Sequence, residues 1–256
     1  MTRLELLAVV LRTTDYGESD RVVSLFTEER GKLSAFARGA RASRKRFGGA
    51  LEPFTLLMAS LKERPSGDLY TLENVSVQAG FGAIRGDLTR IACAGYACDL
   101  ARELTRDAEP HSALFQLLVA YLGQLDAGPA RPAALRAYEL GALREAGFAP
   151  RLDSCARCGA PLDPGSASRF AFDPAQGGAL CAACAAAGEG GPSISREGLA
   201  ALLRLSRAGL AAALQDPLAP AAGAEAQRVL ARFIEHLVGH RLASRKFLDE
   251  LGPMLG

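Results

Sequence analysis

The sequence predicts an α+β chain, β then α, in which a small N-terminal β-barrel is followed by an all-helical C-terminal domain carrying a four-cysteine segment. Three observations predict it. Residues 1–78 hold 12 Val, Ile or Thr and 7 Ala, whereas residues 79–256 hold 9 and 41. Branched residues favour strands and Ala favours helices, so the chain divides near residue 80 into domains 1–80 and 81–256. The first part also shows alternating strand patterns, and a Gly/Pro-rich stretch in the second holds two C-x-x-C pairs.

Five strands are expected in the first domain. Leu6–Thr13 is an apolar run, and Asp20–Thr27 follows the turn residues Asp15-Tyr16-Gly17. Lys32–Arg38 alternates polar and apolar residues, as a half-buried strand does. Leu51–Leu61 and Leu69–Gln78 complete the set. Five short strands in so few residues suit a closed barrel, which leaves no sticky edge, although pattern alone does not separate it from a small sandwich.

Helices are expected at about 85–107, 111–126 and 131–147, parted by Pro-containing breaks. After the cysteine segment, 150–190, Ser195 is an N-cap for the next helix, with Ile194 placed to staple onto Leu199. A last helix is expected over about 223–251, its apolar face made by Leu230, Phe233, Ile234, Leu237 and Leu242.

Cys155, Cys158, Cys181 and Cys184 form the two C-x-x-C pairs, with 22 residues between them. Two such turns can direct four sulfurs at one ion, the donor set of a closed structural zinc site, so one zinc per chain is expected. Four cysteines leave no open coordination position, which argues against a catalytic metal. The alternative is two separate redox dithiols or loose thiols. Cys93 and Cys98 lie in an apolar helical run and read as buried thiols.

The formal net charge is only +2, yet between Arg30 and Ala50 there are seven basic residues and no acid. Lys32, Arg38, Arg41, Arg44, Lys45 and Arg46 are therefore candidate phosphate contacts on a loop between two strands. Phe36, Phe47 and Tyr70 are candidate base-stacking rings, against the ordinary alternative of core packing. Arg is the chain's habitual cation, 26 against 4 Lys, so the missing acids weigh more than the arginines themselves. A second basic patch or partner site is read in Arg228, Arg232, His236, His240, Arg241, Arg245 and Lys246, with a plain solvated helix face as the alternative.

No phosphate-binding P-loop, dinucleotide fingerprint or nucleophile elbow occurs, so a binding role rather than catalysis is expected. No apolar run is long enough to span a membrane and no signal peptide is evident, so a cytoplasmic protein is expected.

The segments Val10–Arg21, Thr27 through Leu33, Ala37–Arg41 and Leu51–Phe54, then Gly147–Pro150, Cys155-x-x-Cys158-Gly159, Phe172, Gly177-Gly178, Cys181-x-x-Cys184 and Ser244–Leu248, closely resemble the RecO family of bacterial DNA repair and recombination proteins. The resemblance runs in order over nearly the whole chain. It implies an N-terminal OB-fold and a helical domain with a zinc-binding segment. It also implies binding to single- and double-stranded DNA, annealing of complementary strands, and partnership with RecR and with the acidic C-terminal tail of single-stranded DNA-binding protein (SSB). Together these would load the RecA recombinase on nucleoid DNA. The basic last helix is the candidate surface for the tail, since an acidic peptide needs cations beside an apolar groove.

Overall fold

The computed structural model describes residues 2–43, 46–64, 69–162, 165, 167–187 and 191–251. The chain forms two compact units, Met1–Pro129 and Ala130–Gly256.

The first unit opens with β1 (Arg3–Tyr16), β2 (Asp20–Thr27), β3 (Gly31–Ala37), β4 (Leu56–Lys62) and β5 (Leu69–Ala79). They close in the order β1-β2-β3-β5-β4, with β1 pairing to both β2 and β4. Only β3 and β5 run parallel. This is an OB-like barrel, as expected. The period-2 alternation turns Leu33, Ala35 and Ala37 of β3 and Leu57, Ala59 and Leu61 of β4 inward, where they meet Leu6, Val10, Val23, Leu25 and Leu72. A register shift between Val10 and Arg12 bends β1 so that one strand can serve two partners.

The fourth strand starts five residues later than expected, at Leu56. Pro53 has no N–H for a ladder, and the chain turns there with Phe54 at φ 73°. The turn is still held to β1, because Phe54 N–H donates to Val10 O at 2.9 Å and Val10 N–H to Thr55 O at 2.9 Å. Leu51 and Phe47 drop from this connection into the barrel.

Two helices, α1 (Leu88–Leu104) and α2 (Ser112–Ala127), follow the barrel. The boundary expected near residue 80 marks the barrel's end, but these helices join the first compact unit because they close onto the strands. Phe115 of α2 meets Phe26 of β2 edge to face at 5.8 Å. Asp87 caps α1 by accepting the Arg90 N–H at 2.9 Å. Cys93 and Cys98 are buried in α1, and burial, reinforced by the Asp99 charge, pushes the Cys98 thiol well up.

The link from α1 to α2 runs beside β3, where Ala108 N–H donates to Lys32 O at 2.9 Å. A Cβ on Gly31 would stand 1.9 Å from the Glu109 carbonyl oxygen, and Gly31 itself is left-handed at φ 63°. Gly31→Ala therefore meets both a backbone clash and a strained φ. It should destabilise the first unit by at least about 2 kcal/mol in urea unfolding.

The second unit holds α3 (Pro132–Glu145), β6 (Arg169–Asp173), β7 (Gly178–Leu180), α4 (Ala182–Ala186), β8 (Ser193–Ser195), α5 (Arg196–Ala213), α6 (Pro220–Val238) and α7 (Ala243–Glu250). It is helical, with a small sheet in the order β7-β6-β8 that the Gly/Pro-rich composition concealed. Phe172 of β6 meets Phe233 of α6 at 5.8 Å, which fixes the sheet on the helices. Ser195 caps α5 through the Gly198 N–H at 3.1 Å, and Ile194 and Leu199 are both buried. The single last helix expected over 223–251 is two, because Gly239 adopts φ 80° and terminates α6. Among the described residues, no helix is long and apolar enough to cross a membrane.

Candidate nucleic-acid interface and metal centre

The basic loop joins β3 to β4 and is tied down rather than loose. Gly39 N–H donates to the Asp20 carboxylate at 2.7 Å. Arg41 N–H donates to Ser19 O at 3.0 Å and its guanidinium to Glu18 O at 3.1 Å. Arg46 donates to Arg38 O at 2.9 Å and lies 5.2 Å from the centre of the Phe47 ring. Arg38, Arg41 and Arg46 are thus gathered on one loop, all exposed. Arg41 has a 3.8 Å pairing with Asp15, while no ion pair of the described residues involves Arg38 or Arg46. Arg44 and Lys45 lie outside the described residues.

Lys32 is not with them. Its ammonium donates to the carbonyls of Arg102 at 3.1 Å and Thr105 at 3.2 Å and pairs with Asp107 at 3.1 Å. It satisfies carbonyls that the C-terminus of α1 leaves open, so its charge is engaged within the fold.

The three candidate rings also part ways. Phe47 is 2% exposed inside the barrel, with no face for a base. Tyr70 is half-buried and packs against the barrel interior. Phe36 is half-buried on the outer side of β3 and meets Tyr16 at 5.7 Å, with 82° between the rings. Tyr16, 61% exposed, was read from the sequence only as part of a turn. Its alternation with Thr14 on β1 is the signal that could have placed it on the outer face.

The C-terminal patch is only partly a surface patch. Arg228, Arg232 and His236 are exposed along α6, and His240 and Lys246 are exposed beyond it. Arg232 stands 3.7 Å from Glu235, and Arg241 pairs with Asp249 at 2.6 Å and Glu235 at 3.8 Å. Arg245 is buried, contrary to the sequence reading. It reaches Asp249 at 2.9 Å and Glu139 of α3 at 3.6 Å, while Glu139 also pairs with buried Arg136 at 2.8 Å. The break at Gly239 turns α7 back onto α3, and that inverts the expected facing.

The four cysteines of the C-x-x-C pairs converge. All four sulfurs lie within 4.8 Å of one another. Cys155 and Cys158 sit on a turn held to β7 by Ala156 N–H donating to Ala179 O at 2.8 Å. Cys181 and Cys184 straddle the start of α4. The Sγ atoms of Cys158 and Cys181 are 3.8 Å apart. A tetrahedral ion with sulfur ligands at about 2.3 Å would set them about 3.8 Å apart. Burial pushes the Cys155 thiol up, but the N–H groups of Cys158, Cys181 and Arg157 and the Cys158 thiol outweigh it and bring it down to about 6. Cys184 is pushed up to about 12, by its hydrogen bond to Cys181 first, then by burial and by Cys158 and Cys155. Cys155 thus favours its thiolate while Cys184 resists ionising beside it, a conflict that a shared divalent cation relieves. The donor set fits a metal ion.

Residues 1–81 match the family model described as recombination protein O N terminal, and residues 85–246 match recombination protein O C terminal. The chain is 65% identical to a protein named DNA repair protein RecO from Anaeromyxobacter sp. (strain K), over all of both chains. It is 47% identical to that of Myxococcus xanthus (strain DK1622), covering 98% of this chain and 99% of the other. With that of Geobacter sulfurreducens the identity is 41%, over 96% and 97%. A barrel with a basic loop, a helical unit with a four-cysteine cluster, and full-length likeness to these relatives agree: the chain belongs to the RecO family of DNA repair proteins.

Proposed function

We propose that this chain is a non-enzymatic recombination mediator that binds single- and double-stranded DNA and anneals complementary strands. With RecR and SSB it promotes RecA loading at the nucleoid, in the cytoplasm. The observation that carries the reading is the loop with Arg38, Arg41 and Arg46 exposed on an OB-like barrel, in a run of sequence that holds no acid. Such a loop follows a phosphate backbone without reading sequence and releases counterions on binding. Annealing then needs no ATP, because base pairing supplies the free energy and the protein only screens repulsion between strands. Contact with both the DNA and the SSB tail would raise the local concentration of each at the other. The exposed Arg228 and Arg232 of α6, with His236 one turn on, suit that acidic tail.

Cys155, Cys158, Cys181 and Cys184 would hold one structural zinc. When bound, the ion supplies only a tetrahedral cross-link. The protein's part is to present four thiolates and steady them with N–H donors.

The test is annealing of complementary SSB-coated strands without ATP. Reversing charge at Arg38, Arg41 and Arg46 should slow annealing at least about tenfold while the unfolding midpoint holds. Unchanged annealing would remove the loop from the mechanism.

A further inference from the structure

The outer face of the barrel carries an aromatic pair that the basic loop does not explain. In the strand register Thr14 faces Val22, Val22 faces Phe36, and Tyr16 faces Asp20 at the turn end of the β1–β2 ladder. Tyr16 and Phe36 meet edge to face at 5.7 Å. Whichever ring offers its edge, this perpendicular setting leaves flat aromatic surface uncovered by the partner. Tyr16 remains 61% exposed. The β1–β2 turn just beyond it is the same turn that receives Arg41, through Ser19 O at 3.0 Å and Glu18 O at 3.1 Å. Arg38 is exposed two residues past Phe36. Of the nearby acids, Asp15 pairs with Arg21 at 3.1 Å and Arg41 at 3.8 Å and Asp20 accepts the Gly39 N–H at 2.7 Å, while Glu18 is exposed on the turn itself. Cationic side chains and an exposed ring therefore share one turn. That combination suits a single strand, whose phosphates seek cations and whose unpaired bases seek a π-face. A duplex offers phosphates, but its bases are already stacked within the helix.

We propose that Tyr16, braced by Phe36, is the platform on which an unpaired base of single-stranded DNA stacks, and that this stacking gives the barrel tighter binding to single strands than to duplex. The proposal rests on the DNA-binding reading above. Its test compares the full chain and its variants on oligo(dT) and on a duplex of equal length at one salt concentration. Tyr16→Ser should weaken oligo(dT) binding about tenfold and duplex binding about twofold or less, whereas Tyr16→Phe keeps both affinities. The chain has no Trp and five Tyr, so its emission comes from tyrosines and the difference from Tyr16→Phe isolates this ring. Oligo(dT) should quench it in the unaltered protein, and Tyr16→Phe should lose that part of the quenching without losing affinity. Unchanged oligo(dT) binding by Tyr16→Ser, or equal loss on both substrates, overturns the stacking role while leaving DNA binding intact. Failure of the unaltered chain to bind either DNA overturns both readings.

Discussion

Glu139→Ala should destabilise the second unit by about 3–5 kcal/mol, as removal of one partner from a buried ion network does. Glu139 is fully buried between two nearly buried arginines, Arg136 at 2.8 Å and Arg245 at 3.6 Å. Its loss leaves two guanidinium charges in a low-dielectric interior, of which Arg245 keeps its pairing with Asp249 at the edge. Replacing Arg136, Glu139 and Arg245 together by Met, Leu and Met should be far milder, since a buried network and a well-packed apolar cluster are often close in stability. Urea unfolding of the single and triple variants measures both. A triple variant as unstable as Glu139→Ala would show that packing, not the stranded charge, sets the cost.

Metal removal should have the second large effect. As purified, the chain should carry about one zinc, and Cys158→Ser should lose nearly all of it. Segment 150–190 is poor in regular structure, and backbone hydrogen bonds tie the first C-x-x-C turn to the three-residue β7. Without the ion this segment should become sensitive to limited proteolysis, while the barrel and α3 remain resistant. Protons compete for the same thiolates, so acidification should release the metal. Retention of metal by Cys158→Ser, or a proteolysis pattern that ignores the metal, would contradict the cross-link.

Much of this was legible in the chain itself. The barrel could be read because β3 and β4 alternate strictly, and the four-cysteine cluster because its spacing carries its own geometry. Ser195 was legible as a cap because capping is local. What failed was whatever depended on contacts distant in sequence. Lys32 reads as one more cation in a basic run, but the C-terminus of α1, about 70 residues on, claims its ammonium. Arg245 sits on a helix rich in charge, and only the reversal at Gly239 reveals that it faces α3. Phe47 follows three cations in a row, yet it fills the barrel because the connection folds inward beside Leu51. Tyr16 was hidden for the opposite reason, as it reads as a turn residue but extends β1 by a further step.

Arginines of the β3–β4 loop should bind DNA through its phosphates. The direct measurement is the dependence of oligo(dT) affinity on salt for the unaltered chain and for Arg38→Gln, Arg41→Gln, Arg46→Gln combined. Each phosphate contact on a single strand contributes about −0.7 to the slope of log K against log [salt], so three lost contacts should flatten it by about 2. A slope and an affinity unchanged by the three substitutions would contradict the account.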